Sequence, residues 1–296
     1  MSRKKKTKVK LNKKLRAVVL VLWLCISAVY SAWQWLQPAP SWEGMDADFS
    51  VHFLDVGQGD AVLLQCDGRM VLVDAGPGPN EEQTVQLLQQ MGVQELELLI
   101  ISHGHEDHAG GADAVLEQFP VEQLVLPVED NRTKFWNQML VAAGETEITE
   151  VRAGWSYKLG EATLTVLYPT KAQQEAASDL NDTSLVIRVE YRDASIYLGG
   201  DNETPAEKRL LQQYVEPVTV YKASHHGSSS SSSEALLNAL NPEYCVISCG
   251  AGNDYGHPHK ETLERLAEHN IPVLRTDLQG TITFVYEDGE FLPRSN

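Results

Sequence analysis

An α/β fold of two packed sheets, each covered by helices on its outer face, is the fold class this sequence predicts. Three observations predict it. Short β-like runs recur in both halves of the chain, helical patterns are interspersed among them, and acidic or imidazole residues stand where several of the runs end.

The chain opens unlike the way it continues. Residues 1–16 hold Arg3, Lys4, Lys5, Lys6, Lys8, Lys10, Lys13, Lys14 and Arg16 with no acid, a basic tail expected in the cytoplasm. Residues 17–36 carry no charge and include Val18, Leu20, Leu22, Trp23, Leu24, Ile26 and Val29. About 20 such residues, rising ~1.5 Å each, match the ~30 Å hydrocarbon core of a bilayer, so a single transmembrane anchor is expected here. Bulky Tyr30, two places before Ala32, disfavours cleavage as a signal peptide, and Leu24 before Cys25 argues against lipidation. The basic flank then sends everything beyond the anchor to the outside of the cell membrane. Pro38 and Pro40 mark a linker over 37–47, and one folded domain is expected over 48–296.

Within that domain the elements follow in order. Phe49 to Asp55, Ala61 to Cys66 and Met70 to Asp74 read as strands, and Glu81 to Met91 carries a helical pattern. The apolar run from Leu96 to Ser102 reads as a buried strand, and Gly110 and Gly111 turn the chain into a helix over Ala112 to Phe119. A helix over Lys134 to Ala143 precedes strands over Ala162 to Tyr168, Ser184 to Tyr191 and Ser195 to Gly199. Thr204 to Tyr214 is helical, Pro217 to Ala223 a strand, Glu234 to Leu240 a helix, Tyr244 to Ser248 a strand, Lys260 to His269 a helix and Thr281 to Tyr286 a strand. The serine tract Ser228 to Ser233 separates a strand from a helix by a few residues. It therefore reads as a loop ending in a helix N-cap at Ser232 or Ser233, against the flexible linker that a serine run suggests in isolation.

Net charge is −17, but nine of the 24 Lys+Arg precede residue 17, which leaves 15 against 41 Asp+Glu, or −26, for the outer part. Such a surface repels polyanions at long range, so a nucleic-acid substrate must be held by metals and a local basic strip. Cys245 and Cys249 are four apart in an extended run, ~13 Å by backbone reach, too far to bridge. They and Cys66 are expected to be buried thiols.

Three of the nine histidines fall within His103-Gly104-His105-Glu106-Asp107-His108, directly after the apolar strand, and that density reads as a metal site. His103 and His105 leave the strand end on one side, while Asp107 and His108 sit in the turn and face a second ion. Imidazole and carboxylate suit zinc and, with more oxygen, manganese. Asp74, Asp201, His225 and His226 likewise close predicted strands. An Asp before Gly or Asn is an ordinary turn residue when it stands alone, whereas here it recurs alongside the histidine cluster.

These segments together resemble the metallo-β-lactamase superfamily, and within it the domain attached to ComEC competence proteins. The likeness rests on His52-Phe53-Leu54-Asp55-Val56-Gly57-Gln58-Gly59-Asp60, Asp74-Ala75-Gly76, His103 to His108, Leu180-Asn181-Asp182-Thr183-Ser184, Gly199-Gly200-Asp201, His225-His226-Gly227-Ser228 and Gly256-His257-Pro258-His259, in the family's order. It is also similar to the phosphorylcholine esterase of bacterial cell-wall teichoic acids. The resemblance implies an αββα four-layer sandwich with two ions, Zn2+ or alternatively Mn2+. His103 and His105 would bind the first ion and Asp107 and His108 the second, with Asp201 bridging both and one of His225 and His226 completing the second ion's set of ligands. The superfamily usually has a further His where this chain reads Leu180-Asn181-Asp182, so Asn181 or Asp182 would supply oxygen to metal or substrate.

Two ions about 3.5–4 Å apart activate a shared water and stabilise a leaving oxygen, which suits phosphodiester hydrolysis. Asp107 and Asp201 would then be catalytic as well as ligating, and Asp74 would orient a ligand imidazole. Lys222 and His257 would neutralise a substrate phosphate, and Asp60 would support the site beside Gly57 and Gly59. The expected function is that of a membrane-anchored extracellular phosphodiesterase or nuclease acting on DNA. The alternatives are an esterase of phosphorylated cell-wall polymers and a non-catalytic metal-binding module.

Overall fold

Among the residues described by the computed structural model (42, 44–128, 133–213 and 215–294), fifteen strands form two sheets. The first sheet takes β1 (Phe49–Phe53), β2 (Val62–Cys66), β3 (Arg69–Val73), β4 (Leu96–Ile100), β5 (Val121–Pro127) and β6 (Glu147–Val151). The second takes β7 (Ser156–Leu159), β8 (Ala162–Tyr168), β9 (Val186–Tyr191), β10 (Ala194–Leu198), β11 (Val220–Lys222), β12 (Tyr244–Ile247) and β13 (Val273–Arg275). The chain then returns to the first sheet with β14 (Ile282–Glu287) and β15 (Glu290–Arg294), giving orders β15-β14-β1-β2-β3-β4-β5-β6 and β13-β12-β11-β10-β9-β8-β7. Helices α1 (Glu81–Gln90), α2 (Glu106–Ala109), α3 (Ala112–Gln118) and α4 (Lys134–Ala142) join strands of the first sheet. Helices α5 (Lys171–Glu175), α6 (Thr204–Leu210), α7 (Glu234–Leu240), α8 (Lys260–Glu268) and α9 (Thr276–Gln279) lie in the second half of the chain.

Alternation along β4 shows why the layers form. Leu98 and Ile100 join the core between the sheets with Val51, Phe53, Leu164 and Ile187, while Leu96, Leu99 and Ile101 join a core shared with Leu88 of α1, Val115 of α3 and Trp136 of α4. A strand buried on both faces reads as a continuous apolar run. A third cluster packs Tyr197 and Tyr221 against Leu236 and Leu237 of α7 and Leu266 of α8. Each such fully buried side chain contributes about 1.5–3 kcal/mol. Three cores between four layers are the αββα sandwich the sequence predicts.

The strands β3 to β6 are mutually parallel, and so are β10 to β13. In open α/β sheets, functional groups gather beyond the carboxyl ends of such strands. Predicted elements recur with ends shifted by a few residues, the largest change being α6, which stops at Leu210. Five strands were not predicted: β5, β6, β7, β13 and β15. The last four are the edges of the two sheets; exposed polar residues hide the period-two signal in β6, β7 and β15, and β13, three half-buried residues, is too short to show one. Ser233 caps α7, its hydroxyl accepting from the Leu236 N–H, and the buried Glu207 carboxylate accepts from the Ser232 and Ser233 amides at 2.6 and 2.9 Å. The serine tract is an anchored loop. Cys66, Cys245 and Cys249 are buried free thiols.

The expected tail, transmembrane anchor and most of the linker lie outside the described residues. Among those described, no helix is long and apolar enough to cross a membrane.

Candidate metal centre

The strand end of β4 delivers the histidine cluster, and three local devices hold it there. α2 is a single turn that carries Glu106, Asp107 and His108. The Asp60 amide donates to the Asp107 carbonyl at 3.0 Å, an approach so close that a Cβ on Gly59 would collide with that carbonyl. Thr133 caps α4 by accepting from the Trp136 amide and donates its hydroxyl to the Gly104 carbonyl at 2.7 Å, tying the cluster loop to the outer helix layer. Loss of such a cap costs about 1 kcal/mol.

One donor atom from each of Asp107, His108, Asp201 and His226 falls within 4.8 Å of the others. His108 Nε2 is 3.1 Å from Asp201 Oδ1, and His226 Nε2 is 3.2 Å from Asp107 Oδ2 and 3.6 Å from Asp201 Oδ1. The outer nitrogen of each ring is engaged elsewhere. His108 Nδ1 lies 2.8 Å from Asp74 Oδ2, and Asp74 is itself fixed by the amide and hydroxyl of Ser102 at 2.7 and 2.8 Å. His226 Nδ1 lies 3.0 Å from the Ser248 carbonyl, an acceptor that requires a proton on that nitrogen. Both rings therefore present Nε2 to the cluster, the orientation by which outer partners set a ligand tautomer. His226, like His225, sits in the left-handed backbone region (φ +52 and +51), which aims the two rings apart.

Electrostatics favours cations here. Three buried carboxylates, Asp60, Asp74 and Asp201, surround the single buried ammonium of Lys222, and the partly exposed Asp107 adds a fourth negative group to the cluster. Burial pushes the Asp60 carboxyl up, but Lys222 and then His226 outweigh it and hold the pKa at about 2. Burial likewise opposes ionisation of Asp201, and His108 and His226 reverse that to hold it well below the usual carboxylate range. A surplus of buried negative charge needs compensation by bound cations or protonated imidazoles. His108 Nε2, Asp201 Oδ1 and Asn181 Oδ1 are buried without a hydrogen-bond partner in this cluster, as donors awaiting a shared partner would be. The residues present thus fit divalent ions.

The neighbouring half of the site is looser. His103 Nε2 and His105 Nδ1 converge at 3.1 Å, and His103 Nε2 stands 4.0 Å from Asp201 Oδ2. His225 Nε2 approaches the same carboxylate oxygen at 3.8 Å, its Nδ1 braced 3.1 Å from Glu203 Oε1. A cleft of about 330 Å3 opens over both halves, lined by His105, Asp107, Asn181, Asp201, His225, His226 and His257 together with Gln58, Glu106 and Tyr255.

Three expected roles are corrected. Lys222, expected to face a substrate phosphate, is 1% exposed, pairs with Asp60 and does not line the cleft, because its register neighbours Leu198 and Val246 belong to the buried centre of the second sheet. Asp182, offered with Asn181 as an oxygen donor, turns away to pair with Arg209 of α6 at 3.2 Å, leaving Asn181 at the cleft. His257 does line the cleft, but burial, then His226 and His225, lower its pKa to about 4, so the ring is neutral and offers hydrogen bonds in place of charge. Asp74 and Asp60 touch the imidazoles as expected, Asp60 lying 3.3 Å from His226 Nδ1 and 3.8 Å from His108 Nδ1. Sequence reasoning missed Glu203, Ser102, Ser248 and Tyr255. Glu203 follows Asp201 by two residues at a strand exit, a signal that was there to be read.

Residues 54–147 match the Metallo-beta-lactamase superfamily. With the four-layer fold and the histidine–carboxylate cluster, this defines the chain as a metallo-β-lactamase-family protein, a class of generally metal-dependent hydrolases. Its particular kinship is with competence proteins. It is 31% identical to ComE operon protein 3 of Bacillus subtilis (strain 168) over 82% of this chain and 34% of that protein, and 33% identical to the competence protein ComA of Neisseria gonorrhoeae over 78% and 31%. Recombination protein 2 of Haemophilus influenzae is 32% identical over 82% and 29%. The chain thus spans about a third of the length of these relatives.

Among solved structures, the metallo-beta-lactamase fold protein YhfI of Bacillus subtilis superposes with a TM-score of 0.52 at 12% identity, covering 83% of this chain and all of that one. CmlA of Streptomyces venezuelae, a diiron beta-hydroxylase, gives 0.56 at 13% identity over 81% of this chain and 54% of its own. Likeness at that level establishes the fold, and a hydroxylase among the matches shows that the fold alone does not choose the reaction.

Proposed function

We propose that this protein is a metal-dependent phosphodiesterase that cleaves DNA, held at the cell membrane by residues 17–36 with its catalytic domain outside. The observation that carries the reading is the convergence of Asp107, His108, Asp201 and His226, with both ring tautomers fixed by outer partners. In this reading these four residues hold one ion. His103 and His105 would hold a second, with Asp201, Asn181 and His225 near them. Zinc fits the nitrogen-rich donor set, and manganese the added oxygen.

Divalent ions supply Lewis acidity toward a phosphoryl oxygen and lower the pKa of water toward neutrality. The chain's own groups do the rest. Asp74 and the Ser248 carbonyl keep Nδ1 of His108 and His226 protonated, so that both Nε2 lone pairs stay directed inward. Neutral His257, at the cleft wall, donates its ring N–H to a phosphoryl or leaving-group oxygen. Asp60 and Lys222 neutralise one another beneath the site and keep its floor closed to water. The names of the competence and recombination relatives favour DNA as the substrate.

The test is to purify the protein, measure its metal content, and assay it against single-stranded DNA, bis-p-nitrophenyl phosphate and p-nitrophenyl phosphorylcholine. Metal-dependent cleavage of DNA is the expected result. Turnover of phosphorylcholine alone would transfer the protein to cell-wall esterase chemistry, and full metal occupancy without turnover would make it a binding module.

A further inference from the structure

We infer that Tyr255 is a stacking platform for one unpaired nucleobase at the mouth of the metal cleft, so that the protein selects single-stranded over duplex nucleic acid. The inference rests on the phosphodiesterase reading above and names its substrate class. Tyr255 is 67% exposed and is the one aromatic among the large exposed hydrophobic side chains of the described residues, yet it lines the same cleft as Asp201 and His226. Its ring lies nearly parallel to that of His257, with centroids 5.7 Å apart and planes 21° apart, and His257 in turn stacks on His226 at 6.2 Å and 30°. Three planar rings therefore run as a column from the cluster out to solvent, and Tyr255 forms its open end.

The loop that carries Tyr255 and His257 is held by its own hydrogen bonds. Gly256 takes a positive φ of 74°, the reversal that lets rings two residues apart stack. Asn253 accepts from the His257 amide at 3.0 Å and donates to the His257 and Gly250 carbonyls, and His259 Nε2 lies 3.2 Å from the Tyr255 carbonyl. Pre-ordered aromatic surface costs little entropy on binding. A flat base continues such a column. A quaternary ammonium favours an aromatic cage, and among the described residues the other rings at this cleft are imidazoles. No Lys or Arg lines the cleft among the described residues, so the phosphate clamp on which duplex binding leans is not built here, whereas base stacking is indifferent to sequence and needs an unpaired face.

The experiment uses the full chain, metal-loaded. Fluorescence anisotropy gives Kd for a labelled oligothymidine, for an abasic oligomer of equal length and for the oligothymidine paired with its complement; Kd for phosphorylcholine comes from competition, and cleavage is scored on the same samples. The native protein should bind the single strand most tightly, Tyr255→Ala should raise that Kd by about 5- to 150-fold and bring the abasic-to-thymidine ratio toward one, and Tyr255→Phe should preserve the ratio. A ratio unaltered by Tyr255→Ala overturns the inference, as does a variant that loses phosphorylcholine in place of oligothymidine. Base-dependent binding that Tyr255→Ala abolishes, without any cleavage, supports the platform and overturns the phosphodiesterase.

Discussion

The two halves of the metal cluster differ in how completely their donors are gathered. Around His108 and His226, four donor atoms lie within 4.8 Å of one another and both rings are braced from behind by Asp74 and the Ser248 carbonyl. Around His103 and His105, two nitrogens meet at 3.1 Å, but Asp201 stands 4.0 Å from His103, and His225 approaches the same carboxylate oxygen only to 3.8 Å. A braced, buried, anion-rich half binds tightly because little must be reorganised on binding. A half whose donors stand farther apart is expected to bind more weakly, because they must be drawn together on binding.

The sharpest way to break that comparison is Asp201→Ala, since Asp201 faces both halves. Phosphodiester turnover should fall to the metal-free background with the fold intact by circular dichroism, and an unchanged rate would remove Asp201 from the site. Asp60→Asn should follow in size, because it leaves Lys222 buried without its partner; urea denaturation should show a loss of about 3–5 kcal/mol. Smaller still, Asp74→Asn should weaken metal binding about 10- to 100-fold by releasing the His108 ring, and His103→Ala should affect the other ion only. Metal content measured by mass spectrometry, one ion lost in each of two distinct ways, would sharpen the asymmetry, whereas identical losses would erase it.

The mildest expectation concerns His52, a buried imidazole outside the cluster whose Nδ1 and Nε2 already meet Thr283 and Ser50 at 3.0 and 2.9 Å. Burial lowers its pKa to about 3. The unfolded chain binds a proton at pH values where the folded one does not. His52 therefore stabilises the fold fully above pH ~6.5, and that contribution is lost progressively as pH falls toward 3. His52→Asn should flatten this part of the melting-temperature profile measured in chelator, without altering metal content.

Legibility followed burial. β4 was readable because apolar side chains fill both of its faces, and the inner strands of both sheets were readable on the same ground, apart from β5, whose first half carries Glu122 and Gln123. The edge strands β6, β7, β13 and β15 were not, since half-exposed residues carry no hydrophobic period. Within the site, the identity of every imidazole and carboxylate was in the sequence, because the donor chemistry belongs to the side chains themselves.

The order of motifs, the layered α/β class and the histidine–carboxylate chemistry are thus properties of the sequence alone. Tertiary structure decided which groups meet. It placed His226 rather than His225 in the tight cluster, drew Lys222 onto Asp60 and Asp182 onto Arg209, and set Tyr255 at the open end of a column of rings. The physical reason is that direction and desolvation arise only when strands from two sheets end at one edge, which no single stretch of chain encodes.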